Sequence, residues 1–147
     1  MKGMTIRWRR LVKDGSTCER CGSTLEQLKS AVGKLEAALR PLGIQPVLET
    51  ETIGEESFKS EPSESNRIWI SGQPLEHWLG GTVGMSRCCT VCGDSDCRTL
   101  ELGGHTYETI PEELLVKAGL VAASQLVAPV VATPTAASCC DRACSNP

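Results

Sequence analysis

Aromatic residues, histidines and long apolar runs are scarce in this sequence. Its 147 residues include one Tyr, one Phe, three Trp and two His. The histidines stand alone, His77 beside Trp78 and His105 in a later polar stretch, and both read as surface or packing residues. No phosphate-binding glycine loop, Ser/His/Asp signature or paired-carboxylate motif is present, so nucleotide-enzyme and hydrolase readings have no support. A basic excess is also missing. Lys plus Arg total 15 against 18 Asp plus Glu, a net charge of −3, which argues against a nucleic-acid partner. The first fifteen residues carry Lys2, Arg7, Arg9, Arg10 and Lys13 but no apolar run of secretory-signal length. The most apolar stretch, 114–132, is broken by Lys117, Ser124, Gln125 and Pro129 and makes a poor membrane span. These absences predict a cytoplasmic chain with reduced thiols and no membrane partner.

What the chain does have is cysteine. There are nine, an odd number, so complete internal disulfide pairing is impossible. They fall in clusters: Cys18-Glu19-Arg20-Cys21; then Cys88-Cys89-Thr90-Val91-Cys92 with Cys97; then Cys139-Cys140 with Cys144. A chain of this length buries enough surface to fold without disulfide staples. Clustered thiols in a reducing compartment therefore read as metal ligands or redox groups rather than inert buried residues.

Periodicity places the clusters. Residues 5–12 predict a strand, with Ile6, Trp8 and Val12 on one parity and Leu11 breaking it. Residues 13–16 predict a turn. Ser23-Thr24-Leu25-Glu26 has the form of a capping box, which starts a helix after Cys21. Leu25, Leu28, Val32, Leu35, Leu39 and Leu42 repeat at helical spacing, and Pro41 and Gly43 end the helix. Residues 44–52 predict a second strand, and 54–66 a short helix and loop around Phe58. Residues 67–70 predict a third strand, closed by Ser71-Gly72. Residues 74–79 predict an edge strand or one helical turn. The second cysteine cluster falls in a Gly, Ser and Asp-rich stretch at 80–96, read as an insertion over about 80–97. Residues 98–110 predict a hairpin turning at Gly103-Gly104, and 111–128 a helix with Pro111 in its first turn. A tail of low complexity, 129–147, carries the last three cysteines.

The fold class expected is thus α/β: a βαβ unit, strands and a hairpin, then a C-terminal helix, with a domain over 1–128. The first CxxC lies at a strand-to-helix junction. There the amide-rich end of the helix favours a thiolate, which is both a nucleophile and a soft-metal ligand. A CxxC beside a βαβ unit reads as thioredoxin-like.

The segments Ile6-Arg7-Trp8, Cys18-Glu19-Arg20-Cys21-Gly22, residues 64–72, Pro74-Leu75-Glu76, residues 88–93 and residues 110–114 carry a family resemblance. On them, the stretch from Thr5 to about Leu126 resembles a family of small bacterial and archaeal proteins of thioredoxin-like fold, known as a domain of unknown function. The resemblance implies that fold and an association with arsenic and heavy-metal resistance. Two features depart from thioredoxins. The region corresponding to their cis-proline reads Ser65-Asn66-Arg67, and the helix is expected to start after the second cysteine. Both point away from an efficient oxidoreductase and leave metal binding untouched.

Cys18-x-x-Cys21-Gly22 and Cys89-x-x-Cys92-Gly93 each have the form of a zinc knuckle. A local site from Cys88 or Cys89 with Cys92 and Cys97, a ribbon joining both knuckles, and a loop held by one disulfide all remain open. Adjacent cysteines such as Cys139 and Cys140 pair poorly with each other and stay available to soft ions, with Cys144 as a third thiolate. This tail resembles the vicinal-cysteine end of mercuric reductases and the paired cysteines of arsenic metallochaperones. The leading expectation is a soft metal or metalloid binder for arsenite, mercuric ion or zinc, handing its cargo to a metal-transfer or redox partner. Its ligands are Cys18, Cys21, Cys88, Cys89, Cys92, Cys97, Cys139, Cys140 and Cys144. The alternatives are a thiol–disulfide oxidoreductase, with Cys18 as nucleophile and Cys21 resolving, and a structural zinc protein.

Overall fold

A computed structural model of the chain describes residues 1–12, 19–87 and 96–127. Among these the protein is a mixed α/β fold with two sheets and four α-helices. Strand β1 is Lys2–Leu11 and β2 is Ile44–Ile53, paired in parallel from Lys2↔Ile44 to Leu11↔Ile53. Parallel neighbours need a long crossover, and helix α1, Glu19–Leu39, supplies it. A single 3-10 turn over Arg40–Leu42 follows, closed by Gly43 at φ 68°, whose N–H reaches the Arg40 carbonyl. Glycine meets that left-handed geometry without a Cβ penalty. Next come α2, Glu55–Ser60, and β3, Arg67–Ile70, antiparallel to β1. Ser71 and Gly72, both at positive φ, turn the chain into the two-residue β4, Gln73–Pro74, and α3, Leu75–Leu79, continues directly. The first sheet is ordered β2-β1-β3-β4.

The second sheet is β5-β6-β7, formed by Thr82–Arg87, Asp96–Leu102 and His105–Tyr107. Gly103 and Gly104, at φ 57° and 81°, make the expected tight hairpin turn. Helix α4, Glu112–Leu126, closes the described fold. No helix among the described residues is long and apolar enough to cross a membrane.

One hydrophobic cluster joins the parts. Met4, Ile6 and Trp8 alternate inward from β1 and meet Leu28, Ala31, Leu35 and Leu39 of α1 and Leu115, Ala118 and Ala122 of α4. The two helices pack closely because α4 has glycine at the crossing. A Cβ on Gly119 would sit 2.5 Å from Leu35 Cδ1. Cys97 and Leu100 of β6 and Ile110 belong to the same cluster.

Three expectations are corrected. First, α1 starts at Glu19, so Cys21 and Ser23 lie inside it and Ser23 is not its cap. The buried stripe includes Cys21, Thr24 and Ala31 beside the leucines, and burial of that face outweighs the local capping pattern. Second, Leu42 leaves the stripe and is 54% exposed, because the 3-10 turn rotates it away from the core. Third, the stretch expected as a Gly- and Ser-rich insertion contains a strand. Thr82–Arg87 pairs with β6 from Thr82↔Glu101 to Arg87↔Asp96. Its alternation is faint in the sequence because Gly84 and Ser86 occupy the positions between Val83, Met85 and Arg87.

Candidate dithiol site

Cys21 occupies the first turn of α1, one position beyond Arg20 and three beyond Cys18. It is 1% exposed, and its sulfur lies 3.7 Å from the Ser65 hydroxyl, on the segment that leads into β3. The first turn of a helix presents backbone amides without helical partners, and negative charge is favoured there. The site therefore pairs a buried sulfur with a hydroxyl at the positive end of a helix.

Ser65 is wholly buried, and Asn66 beside it is nearly so. Asn66 adopts φ 59°, a left-handed conformation that asparagine tolerates better than most residues. Two contacts hold it. The Trp8 indole Nε1 donates to Asn66 Oδ1 at 2.9 Å, and Asn66 Nδ2 donates to the Glu108 carbonyl at 3.5 Å. Glu108 also accepts from Ser86 Oγ at 3.1 Å through its side chain. Ser86 is the β5 partner of Cys97.

Cys97 itself is 1% exposed on β6. Its neighbour Arg98 is buried and ion-paired to Glu76 Oε1 at 2.6 Å, and its Nη1 donates to the Ser63 carbonyl at 2.8 Å. Burial pulls the Arg98 guanidinium below its ordinary value, and the Glu76 carboxylate opposes that shift. Residues 63–66 thus touch both cysteine-bearing elements, through Ser65 at α1 and through Ser63 at β6. The Ile110 N–H donates to Thr24 Oγ1 at 3.5 Å, a further tie between the start of α1 and the chain leaving the second sheet.

Of the nine predicted thiols, Cys21 and Cys97 enter one buried cluster. Cys18, Cys88, Cys89, Cys92, Cys139, Cys140 and Cys144 lie outside the described residues, as do the predicted turn at 13–16 and the tail beyond 127. Among the described residues, no group of three or more His, Cys, Asp or Glu side chains is arranged to hold a metal ion. His77 and His105 are exposed, His77 edge-on to Trp78 at 5.1 Å and His105 tilted against Tyr107 at 6.3 Å. Trp8 is in the core, and Trp78 donates to the Ile70 carbonyl at 2.9 Å. Trp69 lies on the opposite sheet face, with the Arg9 and Arg67 guanidiniums 4.9 and 4.6 Å from its ring centre.

Sequence reasoning missed Ser65, Asn66, Glu76, Arg98 and Glu108. Asn66 alone carried a usable signal, since asparagine before a short strand is a candidate for positive φ. The pairing of Arg98 with Glu76 has no local signature.

Residues 4–119 match a family described as a domain of unknown function (DUF2703). A protein of Archaeoglobus fulgidus, described as an uncharacterized protein, is 41% identical over 112 residues, covering 76% of this chain and 82% of its own length. No solved structure matches the chain.

Proposed function

The chain belongs to the DUF2703 family, and from that starting point we propose that it is a dithiol protein of thioredoxin-like architecture in which Cys18 and Cys21 exchange with disulfides. The observation that carries this reading is the position of Cys21, buried in the first turn of α1 with its sulfur against Ser65. Helix α1 begins at Glu19 and so contains Cys21, which supports the reading. The strand order β2-β1-β3-β4, with a parallel β1/β2 pair and antiparallel β3 and β4, supports the architecture. So does a segment before β3 that faces the second cysteine, although it bears Asn66 where thioredoxins have proline.

The chemistry is two thiolate displacements. The Cys18 thiolate attacks a disulfide, forms a mixed disulfide and releases one thiolate. The Cys21 thiolate then attacks Cys18 Sγ and releases the second. The external disulfide is reduced by two electrons, and the Cys18–Cys21 pair is oxidised to a disulfide. The reducing cytoplasm suits a pair kept ready for this step. Reduced protein mixed with glutathione disulfide tests it. Cys18→Ser abolishes exchange at this pair, and Cys21→Ser stalls at the mixed disulfide on Cys18. Exchange no faster than that of a simple dithiol, with no mixed disulfide, overturns the reading.

A second reading has its own support. Cys97 is a second buried thiol and belongs to the same hydrophobic core as Cys21. Thiolates in that number favour soft ions. In this reading arsenite, mercuric ion or zinc is cargo, held by Cys18, Cys21 and Cys97 with the cysteines of 88–92 and of 139–144, and passed to a transfer partner. Isothermal titration of the reduced chain with each ion is expected to give binding tighter than that of a simple dithiol. Binding no tighter rejects it. Stoichiometric zinc after purification, with unfolding on chelation, points instead to a structural zinc protein.

A further inference from the structure

We infer that Ser65 is a positioning residue of the Cys18/Cys21 pair, setting its exchange equilibrium through a hydroxyl–sulfur hydrogen bond that Asn66 holds in place. This inference rests on the dithiol reading. Ser65 is wholly buried, and a buried hydroxyl must find a partner. Cys21 Sγ is 3.7 Å from it. A thiolate sulfur only accepts, so in the charged form the hydroxyl donates, and hydrogen bonds to charged acceptors are the stronger class. When Cys21 attacks Cys18 the sulfur loses its charge and the hydroxyl loses most of that interaction. Ser65 therefore stabilises the reduced pair relative to the disulfide.

The hydroxyl can act in this way only if its backbone is fixed. Asn66 follows it at φ 59°, clamped by Trp8 from β1 and by the Glu108 carbonyl. The clamp joins three separate parts of the fold at the residue next to Ser65. Here the clamp is polar and the neighbouring side chain is a hydroxyl within hydrogen-bond distance of the sulfur.

The test follows the Cys18–Cys21 peptide of the full chain by differential alkylation and mass spectrometry across a glutathione redox series. Ser65→Ala is expected to shift the exchange equilibrium roughly tenfold toward the disulfide, which is about 30 mV more negative. Ser65→Thr and Ser65→Val have nearly the same shape and differ in the hydroxyl. The Thr variant is expected to stay within about threefold of the parent, and the Val variant to shift as Ala does. A purely structural role would move Thr and Val together, and that result overturns the inference. So does an unchanged midpoint in Ser65→Ala while the parent still forms its disulfide, which leaves the dithiol reading standing. A parent chain that forms no Cys18–Cys21 disulfide at any poise overturns the reading and this inference with it.

Discussion

Asn66 does several jobs at one position, and they can be separated. Its backbone is left-handed, its Oδ1 accepts from Trp8, and its Nδ2 donates to the Glu108 carbonyl. Replacing it with glycine removes both side-chain bonds but suits the positive φ. Replacing it with alanine removes the same bonds and adds the strain of a Cβ in that region, about 1 kcal/mol. The buried Trp8 donor is orphaned in both, at a cost of about 1–3 kcal/mol. Urea unfolding is therefore expected to rank wild type above Asn66→Gly, and Asn66→Gly above Asn66→Ala by about 1 kcal/mol. Equal stability of the two variants would show that the left-handed backbone carries no strain. The two side-chain bonds have no trace in the string Ser65-Asn66-Arg67, because the partners of Asn66 are 58 and 42 residues away.

At the scale of elements, the contact between α1 and α4 rests on the fit of Gly119 to Leu35. Gly119→Ala gains helix propensity of about 1 kcal/mol but forces a methyl into Leu35, an overpacking of about 1–3 kcal/mol. Net destabilisation is expected. In a Leu35→Ala background, itself costing about 2–5 kcal/mol, the same change meets open space and should stabilise. A double-mutant cycle by denaturant unfolding reads that reversal of sign. Polar ties on the same elements add an acid dependence. Lys34 hydrogen-bonds Glu112 across the two helices and holds its carboxyl below the ordinary 4.5, and Thr106 and Thr99 do the same for Glu101 on β6. With folded values depressed, their contribution is present above the unfolded carboxylate range and is lost as pH falls through the folded values. Glu112→Gln and Glu101→Gln should each flatten the fall of stability below about pH 4.5 seen in acid unfolding curves. Helices and strands with strong periods were readable in advance: β3 matches residue for residue, the Gly103-Gly104 hairpin is as expected, and Gly43 closes the turn that follows α1. The start of α1 was not, since the capping pattern at Ser23 competes with a buried face that begins at Cys21. Strand β5 was hidden because its pairing with β6, rather than its own residues, makes it a strand.

At the scale of the molecule, the two sheets share no strand pairing among the described residues, yet they are bound through one short segment and one core. Arg98 reaches Ser63 and Glu76, Asn66 reaches Glu108, and Ile110 reaches Thr24. Cys97 and Leu100 sit in the same buried cluster as Met4, Trp8 and Leu35. A sequence shows clusters of cysteines but not which of them meet, because that depends on where β6 docks against residues 63–66. A core continuous across both sheets predicts a single cooperative transition. Trp8, Trp69 and Trp78 all belong to the first sheet and the helix attached to it, so their fluorescence follows that half. Cys97 lies on the second sheet and is shielded from reagents while folded, so its alkylation, read by peptide mass spectrometry, follows the other half. The two probes are expected to give the same urea midpoint. Labelling of Cys97 at lower urea than the fluorescence change would mean that the β5-β6-β7 sheet opens by itself. Breaking the Arg98–Glu76 pair with Glu76→Gln then sharpens the comparison. It removes the nearer carboxylate from a part-buried guanidinium that keeps Glu64 in its surroundings, a loss of about 1–3 kcal/mol, and in a single cooperative unit both midpoints must fall together.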